Sequence, residues 1–156
     1  VEVLVVTVSD RASRGEYEDL SGPAIERTLQ EMIPDVRVRR RIVADEREEI
    51  REALQEGLSS DVVLTTGGTG LSPRDVTPEV TVEFCDREVP GIAEYLRSES
   101  MKQTPHAILS RGFAGMKGTT LVVNFPGSVK AAVLCARLLA PTLGHALKMV
   151  KGEGHP

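Results

Sequence analysis

The sequence predicts an α/β domain built on a largely parallel β-sheet, and three observations predict it. Strand-like and helix-like segments alternate along the 156 residues, the pattern of successive βαβ units. Stretches such as Val62-Val63-Leu64 are continuous apolar runs, which suit strands covered on both faces. Three strand ends lead into turns of small and polar residues at 9–15, 67–70 and 125–128.

Residues 1–8 open as a buried strand, and a polar loop follows. Residues 23–32 carry Ala24, Ile25, Leu29 and Met32 at near-helical spacing. The partial alternation over 36–43, Val-Arg-Val-Arg at its start, suits a strand near the sheet edge with one wet, basic face. Residues 46–58 form a charged amphipathic helix with Ile50, Leu54 and Leu58 spaced by four. Residues 61–66 are the next strand, and 78–84 and 91–101 are two further helices. Residues 109–111 read as a short strand and 119–124 as a buried one. Two helices close the chain, an alanine-rich one over 128–139 and a second over 141–150. With no internal repeat or linker, residues 1–156 read as a single domain.

Composition narrows the class. Hydrophobic residues make up 40% and charged residues 27%, as in soluble globular proteins. Aromatics are only 3% and tryptophan is absent, which argues against a base-stacking single-strand binder. The formal charge of −4 predicts no broad attraction to nucleic acid or membranes. The longest apolar runs, Thr120 to Asn124 among them, fall short of a bilayer span. No basic n-region precedes an apolar h-region, so the expected location is cytoplasmic. Cys85 and Cys135 lack C-x-x-C spacing and read as reduced core residues in helices. His106, His145 and His155 are scattered, so no metal-ligand cluster is visible.

Thr65-Thr66-Gly67-Gly68-Thr69-Gly70 is the most informative stretch. Gly67, Gly68 and Gly70 permit positive φ and leave no side chain between backbone N–H groups and an anion. Neither a P-loop nor a dinucleotide fingerprint is present, because no Gly-Lys-Ser/Thr or G-x-G-x-x-G follows. In a parallel sheet the three turns share the carboxyl edge, the usual ligand side of open α/β folds. Each offers free N–H donors, and two open onto helix N-termini, so a phosphate-containing ligand is the leading expectation.

Two aspartates lie near that edge. Asp45, with Glu48 three residues on, has the form of a reciprocal helix cap, but it also follows a strand toward the glycine turn. Asp75 has an ordinary reading as an Asx-turn acceptor within Asp75-Val76-Thr77-Pro78. Each is also a candidate catalytic carboxylate. Arg11, Arg14, Arg74, Arg111, Lys117 and Lys130 lie in or beside loops, solvated or neutralising an anionic ligand. The run Arg39-Arg40-Arg41 reads as the exposed face of the edge strand. Ser110 has no sequence-placed His or Asp to make it a nucleophile.

The chain carries Ser9-Asp10-Arg11-Ala12-Ser13, the glycine turn, and Pro73-Arg74-Asp75-Val76-Thr77-Pro78. Asp86-Arg87-Glu88-Val89-Pro90-Gly91, Ala107-Ile108-Leu109-Ser110-Arg111 and Asn124-Phe125-Pro126-Gly127-Ser128 follow in order. With these motifs, from Val3 to about Lys151, it closely resembles the molybdopterin adenylyltransferases. These are the MogA-type proteins and the matching G domains of plant and animal molybdenum-cofactor proteins, gephyrin among them. The resemblance implies a three-layer αβα domain that assembles as a homotrimer. It implies a reaction in which molybdopterin and ATP, with magnesium, give adenylyl-molybdopterin and pyrophosphate. It matches Asp45 and Asp75 to the family's two essential acidic positions and the turn Gly67, Gly68, Thr69, Gly70 to a phosphate cradle. Ser9, Asp10 and Ser13, with Pro126, Gly127 and Ser128, match other walls of the pocket, and Ser110 a further contact. A molybdate-inserting protein is the implied downstream partner. Competing expectations are a sister pterin- or nucleotide-binding protein with little transfer, a nucleotide pyrophosphatase of the competence-damage-inducible type, and a scaffold domain.

Overall fold

A computed structural model describes residues 1–153, and in it six strands form one sheet. These are β1 (Glu2–Val8), β2 (Arg37–Val43), β3 (Val62–Thr66), β4 (Arg87–Glu88), β5 (Ala114–Lys117) and β6 (Thr120–Phe125). Their order across the sheet is β2-β1-β3-β6-β5-β4. The pairs β2–β1, β1–β3 and β3–β6 are parallel, whereas β5 runs antiparallel to both β6 and β4. The helices are α1 (Asp10–Ser13), α2 (Ser21–Met32), α3 (Arg47–Glu56), α4 (Thr77–Phe84), α5 (Pro90–Ser100) and α6 (Val129–Val150).

Alternation along the strands builds the three layers. Val3 and Val5 of β1, Val62 and Leu64 of β3, and Val123 of β6 face one way, onto α2, α5 and α6. Leu4, Val6, Val63 and Val122 face the other way, onto Ile50 and Leu54 of α3 and Val80 and Phe84 of α4. Successive side chains of a strand point to opposite faces, so a strand apolar at every position must be covered on both. Edge strand β2 differs as expected, with Arg37, Arg39 and Arg40 exposed. Arg40 Nε sits 2.9 Å from Glu26 Oε1 and Arg41 pairs with Glu56. Charge on a rim strand discourages edge-to-edge pairing.

Several elements depart from the sequence reading. Residues 109–111 form no strand: Pro105–Leu109 is a 3-10 turn, and extended chain follows. The strand comes later, as β5, joined to β6 by a two-residue turn with Gly118 at φ 56°. Short β4 and β5, the latter holding two small residues, carry too little periodic signal to stand out. The polar loop after β1 contains the single-turn α1. The two closing helices are one, because α6 continues through Pro141. That proline is exposed, so the carbonyl it leaves unpaired can turn to water, while the buried stripe from Ala132 to Leu143 runs on unbroken. At 22 residues α6 is also long and apolar enough to cross a membrane, contrary to the short-run expectation. Its buried residues, from Ala132 to Leu143, pack against α2 and the sheet. Cys135 is buried in α6, whereas Cys85 follows the end of α4 rather than lying inside it; both thiols are free. No group of three His, Cys, Asp or Glu side chains able to hold a metal occurs among the described residues. His155 lies outside them.

Candidate active site

The parallel register ends β1, β2, β3 and β6 at one level, with Val8 opposite Val43 and Thr66 opposite both Thr7 and Phe125. The segments that follow are therefore tied together. The Ser9 amide donates to the Val43 carbonyl at 2.9 Å, the Gly67 amide to the Phe125 carbonyl at 3.2 Å, and Thr66 Oγ1 to the Pro126 carbonyl at 2.7 Å.

Steric room alone demands the turn glycines. Gly67 has φ 106°, and a Cβ there would lie 2.3 Å from the Val8 carbonyl oxygen. Gly68 has φ 70°, and a Cβ there would meet Thr77 Oγ1 at 2.3 Å and Asp45 Oδ1 at 3.0 Å. The turn is threaded between the end of β1 and the start of α4, where only a residue without a side chain fits. Thr77 locks it from the α4 side, its Oγ1 donating to the Gly67 carbonyl at 3.1 Å.

The two aspartates stand on either flank of this turn. Asp45 is not the cap of α3, whose N-cap is Glu46, which makes no side-chain capping bond. Instead Asp45 Oδ2 accepts from the Asp10 amide at 3.0 Å, and the Asp45 amide donates to Asp10 Oδ1 at 2.9 Å. Capping loses because the chain arrives from β2 beside α1, whose first amide is the nearer donor. Asp45 Oδ1 is buried and has no hydrogen-bond partner among the described residues. Burial holds the Asp45 carboxyl above its ordinary range, and the negative charges of Asp10 and Asp75 add to the effect. Asp10 goes the other way, held below its ordinary value chiefly by hydrogen bonds from Arg74. On the other flank, Asp75 Oδ2 accepts from the Ser72 amide at 3.2 Å, closing the loop behind it rather than ahead. A Cβ on Gly70 would lie 2.9 Å from that same Asp75 oxygen.

Two cavities flank the Pro126–Gly127–Ser128 turn. One, of about 200 Å³, lies between α5 and the start of α6 and is walled by Arg97, Ser110, Asn124, Pro126 and Ser128. The other, of about 330 Å³, lies on the β1 side, with Thr7, Ser9, Asp19, Gly67, Gly127 and Ser128 in its walls. Gly127 lets the two turns touch, since a Cβ there would be 3.3 Å from Gly67 Cα. Ser128 Oγ caps α6 by accepting from the Ala131 amide at 3.3 Å, and Ser9 Oγ caps α1 by accepting from Ala12 at 3.1 Å. Thr69 is buried, its carbonyl bound to the Arg111 amide. Ser13 is exposed, donates to the Asp10 carbonyl at 2.7 Å and lines neither cavity.

Most candidate cations are already engaged within the protein. Arg74 grips Asp10 at 2.9 and 3.1 Å and Glu46 at 2.9 Å. Arg14 pairs with Glu16, Lys117 with Asp86, and Arg11 stacks over Tyr17. Arg111 binds the Gly70 and Asp75 carbonyls and Glu79. Lys130 stands exposed in the first turn of α6. Donors for an anion at the turns are thus chiefly backbone amides.

Three residues in the cavity walls have no site role in the sequence analysis. Asp19 accepts from Thr7 Oγ1 at 2.8 Å and from the Gly22 amide at 3.0 Å. Asn124 donates to Thr65 Oγ1 and Thr81 Oγ1 and accepts from the Phe113 amide. Arg97 Nη1 donates to the Gly112 carbonyl at 2.7 Å. Asn124 was the one with a visible signal, an amide inside an otherwise apolar strand.

Residues 4–145 match a family described as a probable molybdopterin binding domain. A molybdopterin adenylyltransferase of Helicobacter pylori strain J99 is 40% identical over 157 residues, covering 98% of this chain and 89% of that protein. The structure of the molybdopterin biosynthesis enzyme MoaB from Thermus thermophilus superposes with a TM-score of 0.88 at 44% identity, covering 97% of this chain and 96% of that one. A structure of MogA superposes with a TM-score of 0.90 at 38% identity, covering 96% and 99% of the two chains. Fold, sequence and the shared edge of turns agree, and the chain belongs to the molybdopterin-binding domain family of molybdenum cofactor biosynthesis.

Proposed function

We propose that this protein transfers the adenylyl group of ATP to molybdopterin, giving adenylyl-molybdopterin and pyrophosphate. The observation that carries the reading is the pair of carboxylates, Asp45 beside Gly68 and Asp75 beside Gly70, flanking one phosphate-accepting turn. The relatives named molybdopterin adenylyltransferase support it. A terminal phosphate oxygen of molybdopterin attacks the α-phosphorus of ATP; the bond from that phosphorus to the β-phosphate bridging oxygen breaks, and pyrophosphate leaves with the electron pair.

Positioning and charge neutralisation carry most of such a transfer. Gly68, Thr69 and Gly70 offer amides to the phosphates, while Gly67, whose amide is bonded to the Phe125 carbonyl, shapes the turn. Pro126, Gly127 and Ser128 stand between the two cavities, whose walls include Ser110 and Ser9 respectively, while Asp45 and Asp75 line neither and lie at the glycine turn beside them. Asp10 holds Asp45 in place. Magnesium fits this donor set: it keeps waters and phosphate oxygens and takes only one or two carboxylates, and Asp45 offers a buried oxygen without a partner. Asp45 would hold it, and the ion supplies neutralisation of phosphate charge. Asp75, from the opposite flank, orients the incoming phosphate through an ordered water. In the same reading residues 1–156 act as one domain in a cytoplasmic homotrimer that passes its product to a molybdate-inserting protein.

Incubation with ATP, magnesium and molybdopterin tests the reaction. Adenylylated pterin and pyrophosphate should appear in equal amounts. ATP hydrolysis that proceeds equally without pterin, or pterin binding with no pyrophosphate, would overturn the proposal.

A further inference from the structure

Arg111 makes an unusual set of bonds. Its main-chain amide donates to the Thr69 carbonyl at 2.9 Å. Its Nε donates to the Gly70 carbonyl at 2.8 Å, its Nη2 to the Asp75 carbonyl at 2.8 Å, and its Nη1 to Glu79 Oε2. One side chain therefore joins the residue that ends the glycine turn, the candidate catalytic aspartate and the first turn of α4.

The stretch between those points has little else to hold it. Leu71, Ser72, Pro73 and Arg74 are all exposed. The bonds inside the loop are short-range: the Asp75 amide to the Ser72 carbonyl, the Ser72 amide to Asp75 Oδ2, and the Arg74 amide to Ser72 Oγ. These fix the shape of the loop but not its placement over the sheet. Placement falls to Arg111 on one side and to Arg74, bound to Asp10, on the other, with Thr77 tying the start of α4 to the Gly67 and Gly68 carbonyls. Arg111 is itself anchored, since the neighbouring Gly112 carbonyl is held by Arg97 Nη1 at 2.7 Å.

We propose that Arg111 is a positioning residue that sets the distance between Asp75 and Asp45 across the glycine turn. Three of its five guanidinium N–H groups donate to the protein, which orients the fork toward the loop and α4. A planar fork can serve two carbonyls and a carboxylate together, whereas an ammonium at the end of a flexible stem cannot. The proposal rests on the adenylyl-transfer reading for its kinetic consequence and on geometry alone for its structural one.

Arg111→Lys keeps the charge and removes the fork. In that variant kcat should fall roughly 100-fold, the penalty of a displacement of about 1 Å at a reacting centre. KM for ATP and for molybdopterin should stay within about threefold, since no ground-state contact is lost. Added guanidinium should restore part of the activity of Arg111→Ala. Hydrogen exchange in the free protein reads the clamp without any turnover: the amides of Asp75 and Thr77, bonded to the Ser72 and Gly68 carbonyls, should exchange faster in Arg111→Lys, with the β3 and β6 amides unchanged. Wild-type kcat in Arg111→Lys, a loss confined to KM, or unchanged exchange at Asp75 and Thr77 would each overturn the proposal. A wild-type protein that forms no adenylylated pterin would instead overturn the transferase reading, and the exchange comparison would still decide the clamp.

Discussion

Asp45 holds its negative charge against its surroundings, with one oxygen bonded to an amide and the other buried without a partner among the described residues. Its folded carboxyl gives up a proton at higher pH than the same group in the unfolded chain. Across that window the native state holds more protons, so its stability falls as pH rises from the ordinary value of 3.8 upward. Asp45→Asn removes the charge and keeps an acceptor for the Asp10 amide. The melting temperature of the variant should therefore gain on wild type as pH rises above the ordinary value of 3.8, while its turnover collapses. A variant that melts lower at every pH would mean that Asp45 serves structure instead. Asp10 has the opposite sign: the contribution of its ion pair with Arg74 is full above the ordinary carboxylate value and is lost as pH falls below it. Among the described residues, the Asp75 side chain bonds only the Ser72 amide. Asp75→Asn should lower kcat by about 100-fold or more while moving the melting point little. Both aspartates stood out in the sequence as acids near a glycine turn, but only the fold told the cap from the buried carboxylate. A D-x-x-E pattern specifies a cap when the first residue enters the helix directly; here α3 starts beyond Glu46 and the Asp10 amide takes the oxygen first.

At the element scale, the glycine turn and the last helix make opposite predictions. Gly67 must adopt φ 106° against the Val8 carbonyl, whereas Gly118, at φ 56°, has open space around it. Gly67→Ala should destabilise by about 1–3 kcal/mol or more, since strain and contact add. Gly118→Ala carries the left-handed penalty alone, about 1 kcal/mol. Urea denaturation of the two variants measures the difference, and equal losses would show that the Val8 contact does not matter. In α6, Pro141→Ala should raise stability by about 1–3 kcal/mol, because an exposed interior proline forfeits a helical bond that alanine restores. Calorimetry that showed a loss would mean the proline packs usefully. Helices α2, α3, α4 and α5 were legible because their apolar spacing is local. The break placed at Pro141 followed a rule about isolated helices, and the unbroken buried face of α6 overrode it. Strand β5 was missed because it is held in place by pairing with β6, a contact that no local pattern encodes.

Across the whole molecule, one register gathers the site. Four parallel strands end at a common level, so loops distant in sequence share an edge whatever their individual contents. The proposed trimer predicts a single species of three times the monomer mass in light scattering, unchanged on dilution; a mass that falls steadily toward the monomer would contradict it. The sequence by itself determined the α/β class, the parallel core and the edge on which Ser9, the 67–70 turn and the 126–128 turn meet. Each of these follows from runs of apolar residues and from glycines whose effect is local. Tertiary structure alone decided that Asp45 Oδ1 would be left without a partner, that Arg111 would brace the Asp75 loop instead of facing an anion, and that the 126–128 turn would divide two cavities. Those outcomes depend on which donor lies nearest once the sheet has closed, and proximity between remote residues is a property of packing.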